Sequence, residues 1–252
     1  MAETTFGTAG ARICRMGTDT KKAKITFSFD DNRMSTYANA FPILRENGLK
    51  GCIAVVTDRV GEADHYYGWN EIQAMVDAGW EVLAHSRTHD MWNMDAAKIR
   101  REVVECKEIL AAKGHPPKIW VSPGGPWYEK KGHNLGPGSD YEKAVLANYK
   151  GSLLHGGNSG HPVRLPADPH DLSRFGCECY DIEIYNKPLG AILEEIDKAA
   201  RQGDWCHLGW HDVAGKHVET FKAAAARARK HLDEGVMEPV TMSEALGLED
   251  PA

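Results

Sequence analysis

Two histidines four residues apart, His85 and His89 in His85-Ser86-Arg87-Thr88-His89, are a natural ligand pair for a divalent metal ion. On a helical turn that spacing sets both imidazoles on one side. Histidine pairs of this kind also occur as ordinary polar loop residues, so the reading needs a second feature. It is found in Ile25-Thr26-Phe27-Ser28-Phe29-Asp30-Asp31, a strand-like run that ends in adjacent carboxylates. Neighbouring residues at a strand end point to opposite faces. One aspartate can therefore hold an ion while the other takes a proton from water, and we assign Asp31 to the ion and Asp30 to the base. The bland alternative is a solvated strand end or a helix N-cap. Two histidines and one carboxylate leave a position open, as in catalytic rather than structural sites. Water in that position becomes a nucleophile near neutral pH.

Hydrolysis of an amide also needs an acid, because an amine anion leaves very poorly. His211, after the apolar run Trp205-Cys206-His207-Leu208-Gly209-Trp210, is the candidate, while Asp212 beside it reads as a cap for the following helix. The segment Val121-Ser122-Pro123-Gly124-Gly125 is a glycine-rich turn in which backbone N–H groups at Gly124 and Gly125 could approach an oxyanion. Trp127, Tyr128, Trp92 and Trp210 could offer flat faces to a sugar ring, with Trp92 and Trp210 equally readable as core.

These residues must be carried by a scaffold, and the chain alternates strand-like and helix-like runs throughout. Strands are expected at 24–29, 51–57, 80–84, 118–122, 151–154, 172–180, 205–210 and, as a short closing strand, 240–242. Helices are expected at 32–46, 69–78, from Asp95 to about Gly114, and at 141–149, 188–201 and 216–234. Pro42 should disturb the winding of the first. Runs such as Gly51–Thr57, apolar without alternation, suit strands covered on both faces. The pattern argues for a parallel sheet wrapped by helices, open or closed into a barrel, in one domain. Asp30, Asp31, His85, Ser122 and His211 all fall at the carboxyl ends of strands, the rim where such barrels build their chemistry.

Bulk composition narrows the rest. The 252 residues carry 30 basic and 36 acidic side chains, a net charge of −6, and no basic run, which argues against a nucleic-acid partner. Apolar runs fall short of a membrane span, and residues 1–16 lack the apolar core of a secretory signal, so a cytoplasmic location is the default expectation. The six cysteines (Cys14, Cys52, Cys106, Cys177, Cys179 and Cys206) are read as reduced and structural.

Taken together, the motifs resemble those of the metal-dependent polysaccharide deacetylases, carbohydrate esterase family four. Ser28-Phe29-Asp30-Asp31 is similar to that family's Thr-Phe-Asp-Asp, and His85-Ser86-Arg87-Thr88-His89 to its His-Ser/Thr-x-x-His. Leu208-Gly209-Trp210-His211 resembles its late Leu-x-His motif, shifted by a residue. The resemblance implies a distorted (β/α) barrel of about seven parallel strands. It further implies one divalent metal, zinc foremost with cobalt, nickel or manganese as alternatives, held by Asp31, His85 and His89. Asp30 would be the base, His211 the acid, and the reaction removal of an acetyl group from an N- or O-acetylated saccharide. The family's third motif, Arg-x-Pro-Tyr/Phe-Gly, is replaced here by Val121-Ser122-Pro123-Gly124-Gly125. The arginine that would tune the base is missing, and Arg174 is the candidate substitute. An amidohydrolase acting on a small cyclic amide, or a catalytically silent carbohydrate-binding protein of the same fold, remain as alternatives.

Overall fold

The computed structural model describes residues 21–124, 135–154, 165–172, the backbone of 175–177, and 187–249. Eight strands form one parallel sheet: β1 (Ala23–Asp30), β2 (Gly51–Val55), β3 (Glu81–Ala84), β4 (Ile119–Val121), β5 (Gly151–Leu153), β6 (Phe175–Cys177), β7 (Trp205–Trp210) and β8 (Met237–Pro239). Their order is β5-β4-β3-β2-β1-β7-β6, with β8 also paired to β1. The sheet curls into a half-barrel wrapped by α1 (Phe41–Glu46), α2 (Trp69–Asp77), α3 (Ala96–Ile99), α4 (Cys106–Ala112), α5 (Asp140–Asn148), α6 (Leu189–Gln202), α7 (His217–Asp233) and α8 (Met242–Leu246). The expected barrel of parallel strands is thus borne out.

The two faces of the sheet differ. On β1, Ile25, Phe27 and Phe29 point to the helices and join the larger core cluster. There Phe29 stacks on Trp80 with centroids 5.4 Å apart, and Phe221 of α7 meets both Phe27 and Phe29 at 5.7 Å. The alternate residues Thr26 and Ser28 point inward. Ser28 Oγ bonds His207 Nε2 at 2.9 Å, and Trp205 Nε1 donates to Thr26 Oγ1 at 2.9 Å. Around this polar ladder the inner face is closed by a smaller apolar cluster that includes Cys52, Ala54, Leu83, Ile119, Val121 and Met242. Because the side-chain period of a strand is two, continuing the inward set carries Asp30 on β1, His85 after β3 and His211 after β7 to the same interior rim.

Three expectations are adjusted. The first helix begins with a π-wound turn, Thr36–Ala40, that runs directly into α1. Pro42 near the start of α1 has no N–H to give, so the regular ladder cannot pass through it. A second π-wound stretch, Arg100–Glu105, joins α3 to α4. The closing strand is Met237–Pro239, not 240–242. Thr241 instead caps α8 in a reciprocal box with Glu244: Thr241 N donates to Glu244 Oε2 at 2.6 Å, and Glu244 N to Thr241 Oγ1 at 3.3 Å. Cys52, Cys106 and Cys206 are buried free thiols.

Candidate metal centre

Asp31, His85 and His89 converge, with one ligand atom of each lying within 4.8 Å of the others. Asp31 Oδ1 is 3.2 Å from His89 Nε2 and 3.8 Å from His85 Nε2. His85 is buried, and its Nδ1 lies 2.8 Å from the carbonyl oxygen of Val121. A carbonyl only accepts, so Nδ1 carries the proton and the Nε2 lone pair faces Asp31. That is the tautomer a metal ligand needs, and the donor set of two imidazoles and a carboxylate fits a zinc-like divalent ion.

The histidine pair is not helical, as the spacing had suggested. Ser86 and His89 adopt positive φ of 67° and 68°, and Asp31 and Asn32 do the same at 73° and 57°. Of the five described non-glycine residues in this region of backbone space, four therefore sit in the two loops that carry the ligands. Left-handed backbone is costly for residues with a Cβ and persists where surroundings fix it. The fixing contacts are explicit. Asn32 is fully buried and clamps the start of the turn to the end of β2, its side chain donating to Val56 O and accepting from Val56 N, both at 2.9 Å. Ser86 Oγ accepts from His89 N at 2.8 Å. Glu102, fully buried, accepts from Thr88 N and Thr88 Oγ1, both at 2.8 Å. The histidine loop is thus held by a carboxylate from the helix behind it.

Electrostatics suit a cation site. Burial is the largest influence on His89 and, despite Asp31, holds its imidazole down to about 4, so it is neutral at ordinary pH. Burial alone would raise Asp31, but His89, His85, His211 and Arg59 together bring its carboxyl below the usual value. Asp30 is buried at the end of β1 and acts electrostatically on His89. His211 lies within electrostatic reach of Asp31, so the acid candidate shares the rim. Tyr67 is fully buried with its hydroxyl unbonded among the described residues. Burial, then Asp30 and Asp31, push that phenol well above its normal value.

Other expectations need correction. Trp210 does not offer a face to a ligand: it is fully buried on the outward set of β7, edge-on to Phe221 at 4.9 Å. The same alternation that sends His211 inward sends Trp210 outward. Ser122 accepts from Tyr141 Oη of α5 at 2.8 Å. Asp212 caps no helix and accepts instead from Ser35 Oγ, whose oxygen also receives Val213 N at 3.1 Å. Trp92 is exposed. Gly124 takes φ of 63°, a turn that suits glycine, whereas Gly125, Trp127, Tyr128 and Arg174 lie outside the described residues. Sequence reasoning also missed Arg59, whose Nη1 is 3.0 Å from Asp31 Oδ1. It missed Glu102 as well, though a glutamate on the Ile99-Val103-Cys106-Leu110 stripe is a signal that was there to be read.

Residues 17–135 match the family model described as polysaccharide deacetylase. Comparison with curated protein sequences gives no match. Among solved structures, the chain is similar to a family 4 carbohydrate esterase from Streptomyces lividans in complex with acetate, at 16% identity and a TM-score of 0.56, covering 86% of this chain and 91% of that one. It is similar to the chitin deacetylase of Colletotrichum lindemuthianum at 17% identity and 0.58, covering 92% and 90%. A family 4 acetyl xylan esterase from Clostridium thermocellum, in complex with a cobalt ion, aligns at 19% identity and 0.54, covering 89% and 91%. At these identities the likeness to solved structures is one of fold.

Proposed function

We propose that the protein, whose residues 17–135 match the polysaccharide deacetylase family model, is a metal-dependent hydrolase removing acetyl groups from an N- or O-acetylated saccharide. The observation that carries the reading is the convergence of Asp31, His85 and His89 within 4.8 Å, with Asp30 and His211 on the same rim. A divalent ion held by these three residues, zinc being the best match to the ligand chemistry, would supply Lewis acidity to the acyl carbonyl and acidify water.

The chain's own groups do the proton work. Asp30 accepts the proton of the attacking water as the new C–O bond forms. His211 gives a proton to the leaving nitrogen or oxygen as the C–N or C–O bond breaks, releasing acetate and the free amine or hydroxyl. His85, fixed by Val121 O, and His89, fixed by Ser86 and by Glu102 acting through Thr88, keep the geometry constant through the cycle.

The missing third-motif arginine favours a second reading, an amidohydrolase on a small cyclic amide. The test is acetate release from chito-oligosaccharides and acetylated xylan beside ring opening of cyclic imides, before and after chelation. Acetate release that disappears on chelation and returns with zinc supports the proposal; ring opening without acetate release supports the alternative.

A further inference from the structure

Resting on the metal-dependent reading, we infer that Arg59 sets which divalent ion the site prefers. By bonding Asp31 Oδ1 it keeps that carboxylate a one-oxygen ligand, which favours zinc over ions that need six ligands. The two oxygens of Asp31 have different surroundings. Oδ1 is the one that meets the imidazoles, 3.2 Å from His89 Nε2 and 3.8 Å from His85 Nε2, and the same atom accepts from Arg59 Nη1 at 3.0 Å. Oδ2 faces Arg33, whose Nη2 is 3.9 Å away. A carboxylate oxygen accepts along about two lone-pair directions. With one of them taken by the guanidinium, the other is left for an ion held with the imidazoles. Turning the carboxylate to present both oxygens means breaking a charge-assisted bond.

Arg59 is itself held, so the constraint is stiff. It ends the tight turn Thr57–Arg59 that follows β2. Thr57 N donates to Ser86 O at 3.3 Å and Asp58 N to Arg87 O at 2.9 Å, which ties this turn to the histidine loop. Arg87 Nε returns the contact, donating to the Asp58 oxygens at 3.0 and 3.2 Å. On the other side, the Asn32–Val56 pair and the bond from Tyr67 N to Asn32 O at 3.0 Å tie the same stretch to the Asp31 turn. The Arg59 guanidinium carbon lies 5.6 Å from the centroid of the Tyr66 ring. A segment that supplies none of the three ligands thus joins the two loops that supply them all.

Ion preference follows from ligand count. Zinc is satisfied by about four nitrogen and oxygen ligands. Manganese favours an oxygen-rich shell of about six. Limiting Asp31 to one oxygen therefore costs manganese more than zinc. The plainer account of Arg59 is a counter-ion for Asp31, and the two accounts separate cleanly. Removing a cation raises the affinity of two ions of equal charge by the same factor, because Coulomb's law sees only charge and distance. The ratio of the two affinities cancels that effect and keeps the geometric one.

The test is calorimetric titration of the metal-free full chain with manganese(II) chloride, and with zinc chloride in competition with a chelator. The ratio Kd(Mn)/Kd(Zn) should fall about tenfold in Arg59→Met, the scale of losing a group that orients a metal ligand. Methionine keeps the apolar stem over Tyr66 and donates nothing. Arg59→Lys, which still donates, should restore most of the ratio. The d–d bands of the cobalt(II)-loaded chain should weaken in Arg59→Met as coordination rises towards six. If circular dichroism shows that Arg59→Met does not fold, the shorter Arg59→Gln, which withdraws the donor, replaces it with the same expectation. Zinc and manganese affinities that change by one common factor would make Arg59 a counter-ion and overturn the inference, with the metal-dependent reading left standing. A ratio that falls as far in Arg59→Lys as in Arg59→Met would overturn it too. A wild-type chain that binds neither ion would sink both the inference and the reading beneath it.

Discussion

Asp31 and Glu81 are shielded carboxylates at opposite ends of the sheet, and they have been given opposite partners. Glu81, at the start of β3, accepts from Ser243 N at 3.0 Å and from Ser243 Oγ, and so caps α8. Its donors are fixed, and burial still lifts its carboxyl above the ordinary range. Asp31 at the carboxyl rim meets two imidazoles and two guanidiniums instead, on backbone at positive φ. The contrast teaches that burying an acid does not by itself mark a site. What marks it is the partner set: groups that can exchange a proton or share a cation, held where the backbone takes positive φ.

Four measurements probe this contrast. The largest effect belongs to Asp30→Asn, which should slow acetyl hydrolysis roughly 10²- to 10⁴-fold while zinc affinity stays near wild type. Equal loss of zinc binding would show that Asp30 is a ligand rather than the base. Next, Glu102→Gln should weaken zinc binding by roughly 10- to 100-fold, the usual cost of losing the group that orients a ligand loop. Calorimetric titration of zinc into the variant checks this, and unchanged affinity would mean the loop holds its shape without the carboxylate.

Glu81→Gln is the matching change at the other end. It should cost about 1–3 kcal/mol of folding stability by spoiling the cap, with zinc affinity untouched. Denaturant unfolding and zinc titration on one sample separate the two readouts. The smallest effect is on pH. His89 stands near 4 in the fold against an ordinary 6.5, so on acidification the unfolded chain takes up that proton first. The metal-free protein should therefore lose stability as pH falls from about 6.5 towards 4. In His89→Gln that part of the pH dependence of the melting temperature should vanish.

Much of this arrangement was legible in the chain, for identifiable reasons. Runs such as Ile25–Phe29 and Trp205–Trp210 announce strands through their apolar and β-branched content, and the alternation of strands with helices sets the fold class. The period of two then sorts residues between faces. Applied to β7 it separates His211 from Trp210, a distinction available in the sequence but left open by considering tryptophans only as aromatic faces. The histidine loop was misread as a helical turn because an i, i+4 spacing carries no information on φ. The turn is set by Ser86 and by Glu102, a residue 13 positions beyond His89. Arg59 was invisible for a related reason: its meeting with Asp31 depends on backbone bonds between the 57–67 segment and the Asp31 turn, which no local pattern encodes. The Thr241-Met242-Ser243-Glu244 capping box, by contrast, is a local signature, and reading it would have placed α8 correctly.

The central claim is that Asp31, His85 and His89 hold a single divalent cation, and cobalt(II) titration of the metal-free chain followed by visible absorption tests it most directly. The account predicts saturation at one equivalent with the d–d bands of a four- or five-coordinate nitrogen and oxygen site, and no such bands in His85→Ala or Asp31→Asn. A wild-type spectrum that stays that of hexaaqua cobalt throughout, or bands that persist in both variants, would contradict it.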